Sequence, residues 1–264
     1  MFIRSLISSL PVLGHMLRVD ILTFIPTIKD RLIDLFIYAS ISVVVMGYLL
    51  TGFGMREDFG MFTASTLAVV SCIFEVFPRA IGIIMDLLGN KVITYDVTLP
   101  LPSWLAIARI GIADSMKAFF QGCFALPFGL LFVFHQFNPA QFSFVYFILM
   151  LAVSALFFGF FGLFLASLAT EVHKLDSMWM RVIFPMLFLG GMQFSWQILY
   201  AKSPLCAYLA LANPFLYAME GMRAAVLGQA GSLPFWYCFV AMLISALLCG
   251  WIGVQRMMRR LDCV

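Results

Sequence analysis

The hydrophobic positions of this 264-residue sequence form six long apolar stretches. The stretches are 32–50, 61–85, 107–134, 144–168, 182–195 and 235–254. A helix needs roughly 20 apolar residues to cross the hydrocarbon core of a bilayer. The stretch 182–195 is shorter than the others and contains Gly190-Gly191 near its end. The pattern predicts an all-α membrane protein with six transmembrane helices.

The first 28 residues show a different pattern. On a helix, Arg4 and Arg18 fall on one narrow face, and apolar side chains occupy much of the remaining surface. This amphipathic pattern predicts a helix that lies in the membrane interface and is broken or bent near Pro11. A cleavable signal peptide is the alternative, but the segment has no small-residue cleavage site and its apolar run is interrupted. We therefore divide the chain into an interfacial helix at 1–28 and a six-span membrane domain at 29–264.

Two segments between the predicted spans are long enough to fold. Residues 86–103 form an inner loop after the second span, and residues 196–234 form an outer segment before the last span. The outer segment is still strongly apolar and carries Pro204 and Pro214. Because irregular backbone is not tolerated in lipid, we expect this segment to fold back to the membrane surface as short re-entrant helices.

Composition narrows the class of protein further. Hydrophobic residues make up 63% of the chain and charged residues 11%, with a mean hydropathy of +1.03. Soluble domains are about 45–50% apolar and about 25% charged, and a globule of this size cannot bury so much apolar surface. A soluble enzyme and a disordered chain are therefore excluded. The net charge of +3 is too small to indicate a nucleic-acid partner.

The positions of lysine and arginine predict the orientation, since cytoplasmic loops carry an excess of both. With both termini in the cytoplasm, ten such residues lie inside: Arg4, Arg18, Lys29, Arg31, Lys91, Lys174, Arg181, Arg256, Arg259 and Arg260. Three lie outside: Arg56, Lys202 and Arg223. Three others are left out because they fall in or near spans: Arg79, Arg109 and Lys117. We expect a multi-pass protein of the inner (cytoplasmic) membrane with both termini in the cytoplasm.

Motifs for bond chemistry are absent from the sequence. None of the five lysines follows a glycine, so the phosphate-binding motif G-x-x-x-x-G-K-[ST] does not occur. The three histidines are too far apart for an H-E-x-x-H zinc site, and no G-x-S-x-G elbow exists. The six cysteines are never closer than eleven positions, so there is no C-x-x-C pair. We expect this chain to have no catalytic residue, metal or cofactor of its own, and therefore not to be an enzyme.

Two local segments near the end of the chain have a recognisable spacing. The fifth stretch closes with Phe188-Leu-Gly-Gly-Met-Gln-Phe-Ser195, and an Asn-Pro-x-x-Tyr run with a downstream arginine, from Asn213 to Arg223, precedes the last stretch. With the order of spans and loops, these segments resemble the membrane (permease) subunit of type-2 ABC exporters over nearly the whole chain. The resemblance implies a substrate path or outer gate that includes Gly190, Gly191, Asn213, Pro214, Tyr217 and Arg223. Direct substrate contact by the last two is a hypothesis.

The same residues also have simpler structural interpretations. Asn213 is expected to cap the following helix, and Pro214 suits the first turn of that helix. Gly190 and Gly191 indicate either close helix packing or a hinge, and the sequence favours neither.

The inner loop resembles a second element of the same exporter family. It contains Lys91-Val-Ile-Thr-Tyr-Asp-Val-Thr-Leu-Pro100, in which a basic residue and a helical stretch lead to a proline. This run is similar to the coupling helix that seats on the ATPase. The sequence departs from the family where a glutamate is usual, with Thr94 and Tyr95 there and Asp96 nearby. The resemblance assigns contact with the ATPase to Asp96, Thr98, Leu99 and Pro100.

The resemblance also implies the partners of the chain. The chain is expected to pair with itself, through the first and fifth spans, and with two copies of a separate ATPase subunit that binds ATP and Mg. Membrane lipids surround such a protein, and no nucleic acid is expected. The transported substrate stays open between a drug-like molecule, a lipid and a glycan.

Two charges in the second predicted span are unusual. Glu75 and Arg79 lie four positions apart on one helical face, so the spacing predicts that they pair with each other. Asp114 and Lys117 form a similar pair in the third span. Charges in hydrocarbon normally face the protein interior or a water-filled path. Glu75 and Arg79 therefore either lock helices together or line the path or its inner gate.

Two other functions compete with an export permease. An integral membrane enzyme that modifies lipids usually concentrates carboxylates or histidines near one interface, whereas the acids here are scattered. A secondary carrier often shows internal repeats, which this sequence lacks. Both remain alternatives to the leading hypothesis of a permease driven by a separate ATPase.

Overall fold

The computed structural model describes residues 2–53 and 58–262, and the side chains of 10–53 and 58–261. Arg56 and the side chain of Arg4 therefore lie outside the described residues. Within these ranges every regular element is helical: α1 Phe2–Phe24, α2 Ile28–Val44, α3 Leu50–Gly52, α4 Phe59–Leu88, α5 Val92–Asp96, α6 Ser103–Val133, α7 Phe144–Leu168, α8 Val172–Met178, α9 Phe184–Leu189, α10 Trp196–Lys202, α11 Pro204–Ala210, α12 Pro214–Val226 and α13 Phe235–Asp262.

Five helical stretches within the described part of the chain are long and apolar enough to cross a membrane. They are Leu10–Gly52, Phe59–Leu88, Ser103–Gln136, Phe144–Leu168 and Phe235–Leu261. Each contains one of the predicted apolar stretches. The structure therefore confirms the prediction of an all-α, multi-pass membrane protein.

The predicted fifth span, 182–195, is not among these five. It begins in the π-helical turn Trp179–Ile183, which joins α8 to α9, and its helix ends with α9 at Leu189. The helical run 172–189 is only 18 residues long, so its three charged side chains, Lys174, Asp176 and Arg181, all fall within the length needed to cross the membrane. The count of six spans stays a prediction.

The N-terminal helix differs from its prediction in where it is interrupted. α1 continues through Pro11, and the change occurs at the 3-10 turn Ile25–Thr27, which contains Pro26. α1 then leads directly into α2, so the predicted interfacial helix and first span form one nearly continuous helical segment. Met16 packs against Leu101 and the start of α6, which places α1 beside the inner loop. Its position in the membrane interface stays a prediction.

α7 lies at the centre of the bundle and packs against α4, α6, α12 and α13. α6 and α7 approach closely at Gly159, where an added Cβ atom would lie 2.5 Å from the carbonyl oxygen of Gly111. The same Cβ atom would also clash with Ser115. Backbone atoms cannot yield as a flexible side chain can, so only glycine fits at this crossing.

Gly159→Ala is therefore expected to lower the free energy of unfolding by about 1–3 kcal/mol, the usual cost of overpacking. Gly82→Ala is the matched control, since Gly82 also lies inside a helix, α4, but has open space around its Cα atom. The control is expected to be neutral or slightly stabilising because alanine is the better helix former. Thermal unfolding of both variants in lipid nanodiscs checks the difference, and equal melting temperatures would contradict it.

Candidate functional site

The side chain of the first inner-loop residue, Asp86, fixes the fold of that loop. Lys91 has the left-handed φ of 56° and ψ of 31°, which turns the chain back after α4. The Asp86 carboxylate accepts hydrogen bonds from the backbone N–H groups of Val92 and Ile93, at 3.1 and 2.8 Å. These bonds satisfy the free N–H groups at the start of α5. A five-residue helix is thereby fixed next to the end of α4 and the start of α6, and we call this side of the molecule the inner end of the bundle.

Arg109 joins this small helix to two other elements. Its Nη2 atom donates to Asp96 Oδ2 of α5 at 2.6 Å, and its Nη1 atom lies 3.4 Å from Asp20 Oδ2 of α1. Arg109 itself belongs to α6. Burial raises the pKa of the Asp96 carboxyl above its ordinary value of 3.8, and the Arg109 guanidinium opposes that increase. One guanidinium thus ties α1, α5 and α6 together.

The other residues of the predicted ATPase contact lie beside Asp96. Thr98 is exposed, and its hydroxyl donates to the carbonyl of Tyr95 at 2.7 Å. Leu99 packs with Leu101 against the cluster around α1, and Pro100 is exposed. The structure brings the predicted residues together in one loop, but it turns Asp96 inward. Their role toward an ATPase stays a prediction.

The predicted ion pair between Glu75 and Arg79 does not form. Glu75 instead accepts a hydrogen bond from Arg31 Nη1 of α2, and Arg79 Nε lies 3.2 Å from Asp114 Oδ1 of α6. Pairing across helices gives Glu75 and Asp114 each a cation, whereas a pair within α4 would take the carboxylate away from Arg31 of α2 and the Arg79 cation away from Asp114 of α6. The pair of Asp114 with Lys117 is confirmed, at 3.4 Å.

Both predicted charges of α4 also line cavities at the inner half of the bundle. Arg79 borders a cavity of about 310 Å³ that also contains Asp20, Asp86, Asp96, Arg109, Asp114 and Lys117. Glu75 borders a second cavity of about 480 Å³, with Arg31 and Tyr38. The ion pairs thus connect helices and face open space at the same time. Their part in a substrate path stays a prediction.

The Arg31–Glu75 pair should respond unequally to the loss of each partner. Arg31→Gln leaves the Glu75 carboxylate, 2% exposed, without a cation, at a cost of about 3–5 kcal/mol. Glu75→Gln costs less because the Arg31 side chain is 27% exposed and keeps water contact. The double variant is expected to recover stability relative to Arg31→Gln. Thermal unfolding checks this, with Lys29→Gln on the exposed face of α2 as control. A loss no larger than that of the control would contradict the pairing.

The two glycines after α9 differ in their surroundings, and a hinge role for either stays a prediction. At Gly190 an added Cβ atom would lie 2.7 Å from the Cβ atom of Phe215, so this residue serves close packing. Gly191 has a φ of 77°, which side-chain-bearing residues rarely adopt, so it serves the turn. The turn leads to Ser195, whose hydroxyl accepts a hydrogen bond from the Ile198 N–H and caps α10.

The Asn-Pro segment folds as predicted from its local chemistry. The Asn213 side-chain oxygen accepts a hydrogen bond from the Phe215 N–H at 3.1 Å, and Pro214 occupies the first turn of α12. The Asn213 amide also donates to the carbonyl of Met186 at 2.7 Å, which fastens α12 to α9. Tyr217 donates from its hydroxyl to the Leu211 carbonyl at 2.8 Å. These bonds give Asn213 and Tyr217 architectural roles, and substrate contact by Tyr217 stays a prediction.

Arg223 belongs to a buried charge pair that the sequence analysis missed. Its Nη1 atom donates to Glu220 Oε1 at 2.5 Å, and its guanidinium lies 4.1 Å from the centre of the Phe62 ring. Glu220 also accepts from the backbone N–H groups of Trp196 at 2.9 Å and Leu233 at 3.0 Å. Burial lowers the pKa of Arg223 to about 10 and Glu220 opposes the decrease, so the guanidinium is charged at neutral pH.

Several paired charges were missed by the sequence analysis, and for most of them the partner is distant in sequence. Arg31 and Arg223 were counted as loop charges, although each is paired inside the bundle. Glu220 offered one signal, its spacing of three positions from Arg223 on a helix. Asp20 and Arg109 offered none, since nothing in the sequence indicates that α1 lies beside α6.

Helical architecture and buried ion pairs define the class: an all-α, multi-pass membrane protein with charges held between its helices. Among the described residues, no group of three or more His, Cys, Asp and Glu side chains is placed to hold a metal ion. A scan against models of known protein families finds no match, and a search of curated proteins finds none either.

Proposed function

We propose that this chain is the membrane subunit of an ATP-driven exporter of the type-2 ABC class. In this proposal it pairs with itself and with two copies of a separate ATPase that binds ATP and Mg. The observation that carries the proposal is the construction of the inner loop. α5 is tied to α1 and α6 through Arg109, while Val92 and Tyr95 of the same helix are exposed. Exposed apolar side chains on a fixed helix outside the spans favour a protein partner.

The same construction suggests how movement is transmitted. A displacement of α5 by the ATPase passes through the Asp96–Arg109 and Asp20–Arg109 contacts to α6 and α1. α6 packs closely against α4 and α7, so these helices move with it as one body. Rigid-body movement of two such copies opens a central path alternately to either side. The chain itself makes and breaks no covalent bond.

The topology proposed for this function has six spans. The helical run 172–189 is 18 residues long, which at about 1.5 Å per residue gives roughly 27 Å, close to the thickness of the hydrocarbon core. α10 and α11 then lie at the outer membrane surface. Arg31 and Arg223 are paired, and Lys174 and Arg181 lie within the helical run 172–189, so these four residues are left out of the charge comparison. Seven inner charges then remain against two outer ones. This bias supports cytoplasmic termini and a location in the inner membrane.

Crosslinking from the inner loop tests the proposal. Asp96 faces Arg109, so the better probe is Tyr95→Cys, because the Tyr95 side chain is 65% exposed. In native membranes, a bifunctional reagent is expected to link position 95 to a protein that carries G-x-x-x-x-G-K-[ST]. Ile93→Cys, at a buried position of the same helix, is the control and should give no link. Identification of no such ATPase at position 95, with or without nucleotide, would reject the proposal.

A further inference from the structure

The cavity that Glu75 borders, between α2 and α4, carries more carboxylates than cations. Its volume of about 480 Å³ is in the range of small-molecule sites. Asp30 and Asp34 of α2 line it together with Glu75, and Arg31 is the one cation among the described residues in its wall. Arg31 is paired with Glu75, so its charge is already compensated. The two α2 carboxylates therefore make this α2–α4 cavity negative.

The carboxylates of Asp30 and Asp34 are accessible to a ligand. Both residues are exposed, and because they lie four positions apart they share one face of α2. Neither makes a hydrogen bond or an ion pair with any residue of the described ranges. Like charges at this spacing on a helix repel each other. A cation that entered beside both carboxylates would remove this repulsion.

Gln121 of α6 supplies a second, independent observation at the deep wall of the cavity. It is 8% exposed, and its side chain makes no hydrogen bond to any described residue. Its Oε1 atom is fully covered by protein, whereas its amide nitrogen is not. A half-turn of the amide exchanges the two atoms and presents the oxygen to the cavity. A cation beside that oxygen would give this unpaired polar group a partner.

The apolar part of the wall selects a cation that has an apolar body. The Phe74 ring lines the cavity, is 39% exposed, and lies 5.1 Å from the ring of Tyr38. Aromatic faces attract cations. Ile37 and Ile41 continue the face of α2 that carries Asp34, and they are 50% and 60% exposed. A hydrated metal ion gains nothing from these groups, whereas a lipophilic cation buries its apolar surface against them.

We propose that the α2–α4 cavity binds a lipophilic organic cation, with the charge beside Asp30 and Asp34 and the apolar body against Phe74. Binding of this kind needs no ATPase. The further step, that such a cation is the transported substrate, rests on the proposed export function. It narrows the open choice of substrate to a drug-like molecule.

Equilibrium dialysis of the full-length protein in nanodiscs tests this inference, with empty nanodiscs as the baseline for partitioning into lipid. The probes are tetraphenylphosphonium and tetraphenylborate, which have nearly the same size and apolar surface but opposite charges. Above the baseline, the phosphonium is expected to bind saturably and the borate is not. Asp30→Asn with Asp34→Asn is expected to weaken phosphonium binding roughly tenfold, because it removes both accessible charges.

Two further variants separate binding from other effects. Glu171→Gln with Asp176→Asn is the matched control, since it removes the same charge from two exposed residues outside the cavity and should change the affinity less than about twofold. Gln121→Leu keeps the size of the side chain and removes a buried amide that has no partner. Its melting temperature should therefore stay equal or rise, while phosphonium binding weakens about threefold.

Three results would overturn the inference: the borate binds as tightly as the phosphonium, either cavity variant binds the phosphonium as tightly as the wild type, or magnesium ions at equal concentration displace it. Because the dialysis contains no ATPase, failure here leaves the crosslink from position 95 intact. Conversely, loss of that crosslink with retained phosphonium binding would reject the exporter and keep the cation site.

Discussion

Glu220→Gln is expected to lower the free energy of unfolding by about 3–5 kcal/mol, because it leaves the buried charge of Arg223 without its partner. The Glu220 and Arg223 side chains are 0% and 1% exposed, so water cannot replace the lost carboxylate. The amide also introduces a donor where the carboxylate had only acceptors. Oε1 accepts from Trp196 and Arg223 while Oε2 accepts from Leu233, so the new NH₂ group faces an N–H donor in either orientation.

Thermal unfolding in nanodiscs measures this effect, and Glu171→Gln, at an exposed position before α8, is the matched control. The double variant Glu220→Gln with Arg223→Met removes both charges and should recover part of the loss. Full recovery is not expected, because the N–H groups of Trp196 and Leu233 also depend on Glu220. If Glu220→Gln is no more destabilising than the control, the pair does not fix the outer segment.

The features that could be predicted from sequence are those set within a few residues. Asn213 caps α12 because its side-chain oxygen reaches the N–H group two residues later, so the dipeptide Asn213-Pro214 contains the needed information. Five of the six apolar stretches became membrane-length helices for a similar reason, since the length of an apolar run is itself local. The stretch 182–195 differs because charges at 174, 176 and 181 precede it and Gly190 ends its helix.

The pairing of the buried charges depended instead on which helices are neighbours. Arg31 is 44 positions from Glu75, and Asp114 is 35 positions from Arg79. Glu75 and Arg79 are spaced so that they could pair within α4. Each instead pairs with a residue on a neighbouring helix, Glu75 with α2 and Arg79 with α6. The contacts of Arg109 could not be predicted for the same reason, since the two carboxylates that pair with it belong to α1 and α5. Helix periodicity identifies the face of a charge but not the helix opposite it.

Arg109→Gln is expected to release α5 from the bundle, with amide exchange in α5 at least tenfold faster. The substitution removes the cation that Asp20 and Asp96 share and leaves both carboxylates near each other without it. The loss of stability should be about 3 kcal/mol, at the lower end for buried pairs because the contacts retain some water access. Hydrogen exchange with mass spectrometry, followed by peptide, measures the opening of α5 directly.

The effect of Arg109→Gln should also depend on pH. The pKa of Asp96 is already raised above 3.8 by burial, and loss of the opposing guanidinium raises it further. An acid with a raised pKa in the folded state favours folding when protonated, so stability decreases as the pH rises through that pKa. The variant should therefore be closest to the wild type at acidic pH and weakest at neutral and alkaline pH. A pH-independent loss would show that the Asp96 carboxylate is not the group released.

Arg79→Gln provides the matched control for this experiment, because it also removes an ion-paired arginine at the inner end. Its partner Asp114 keeps Lys117 at 3.4 Å, so a smaller loss and no change in α5 exchange are expected. Asp20→Asn distinguishes the two ion pairs of Arg109. It removes the pair with α1 but leaves the contact with Asp96 at 2.6 Å intact. α5 exchange should then stay slow. If Asp20→Asn opens α5 as much as Arg109→Gln does, the inner loop is held through α1 rather than through its direct contact with α6. A partner that displaces α5 would then move the bundle through α1 and not through α6.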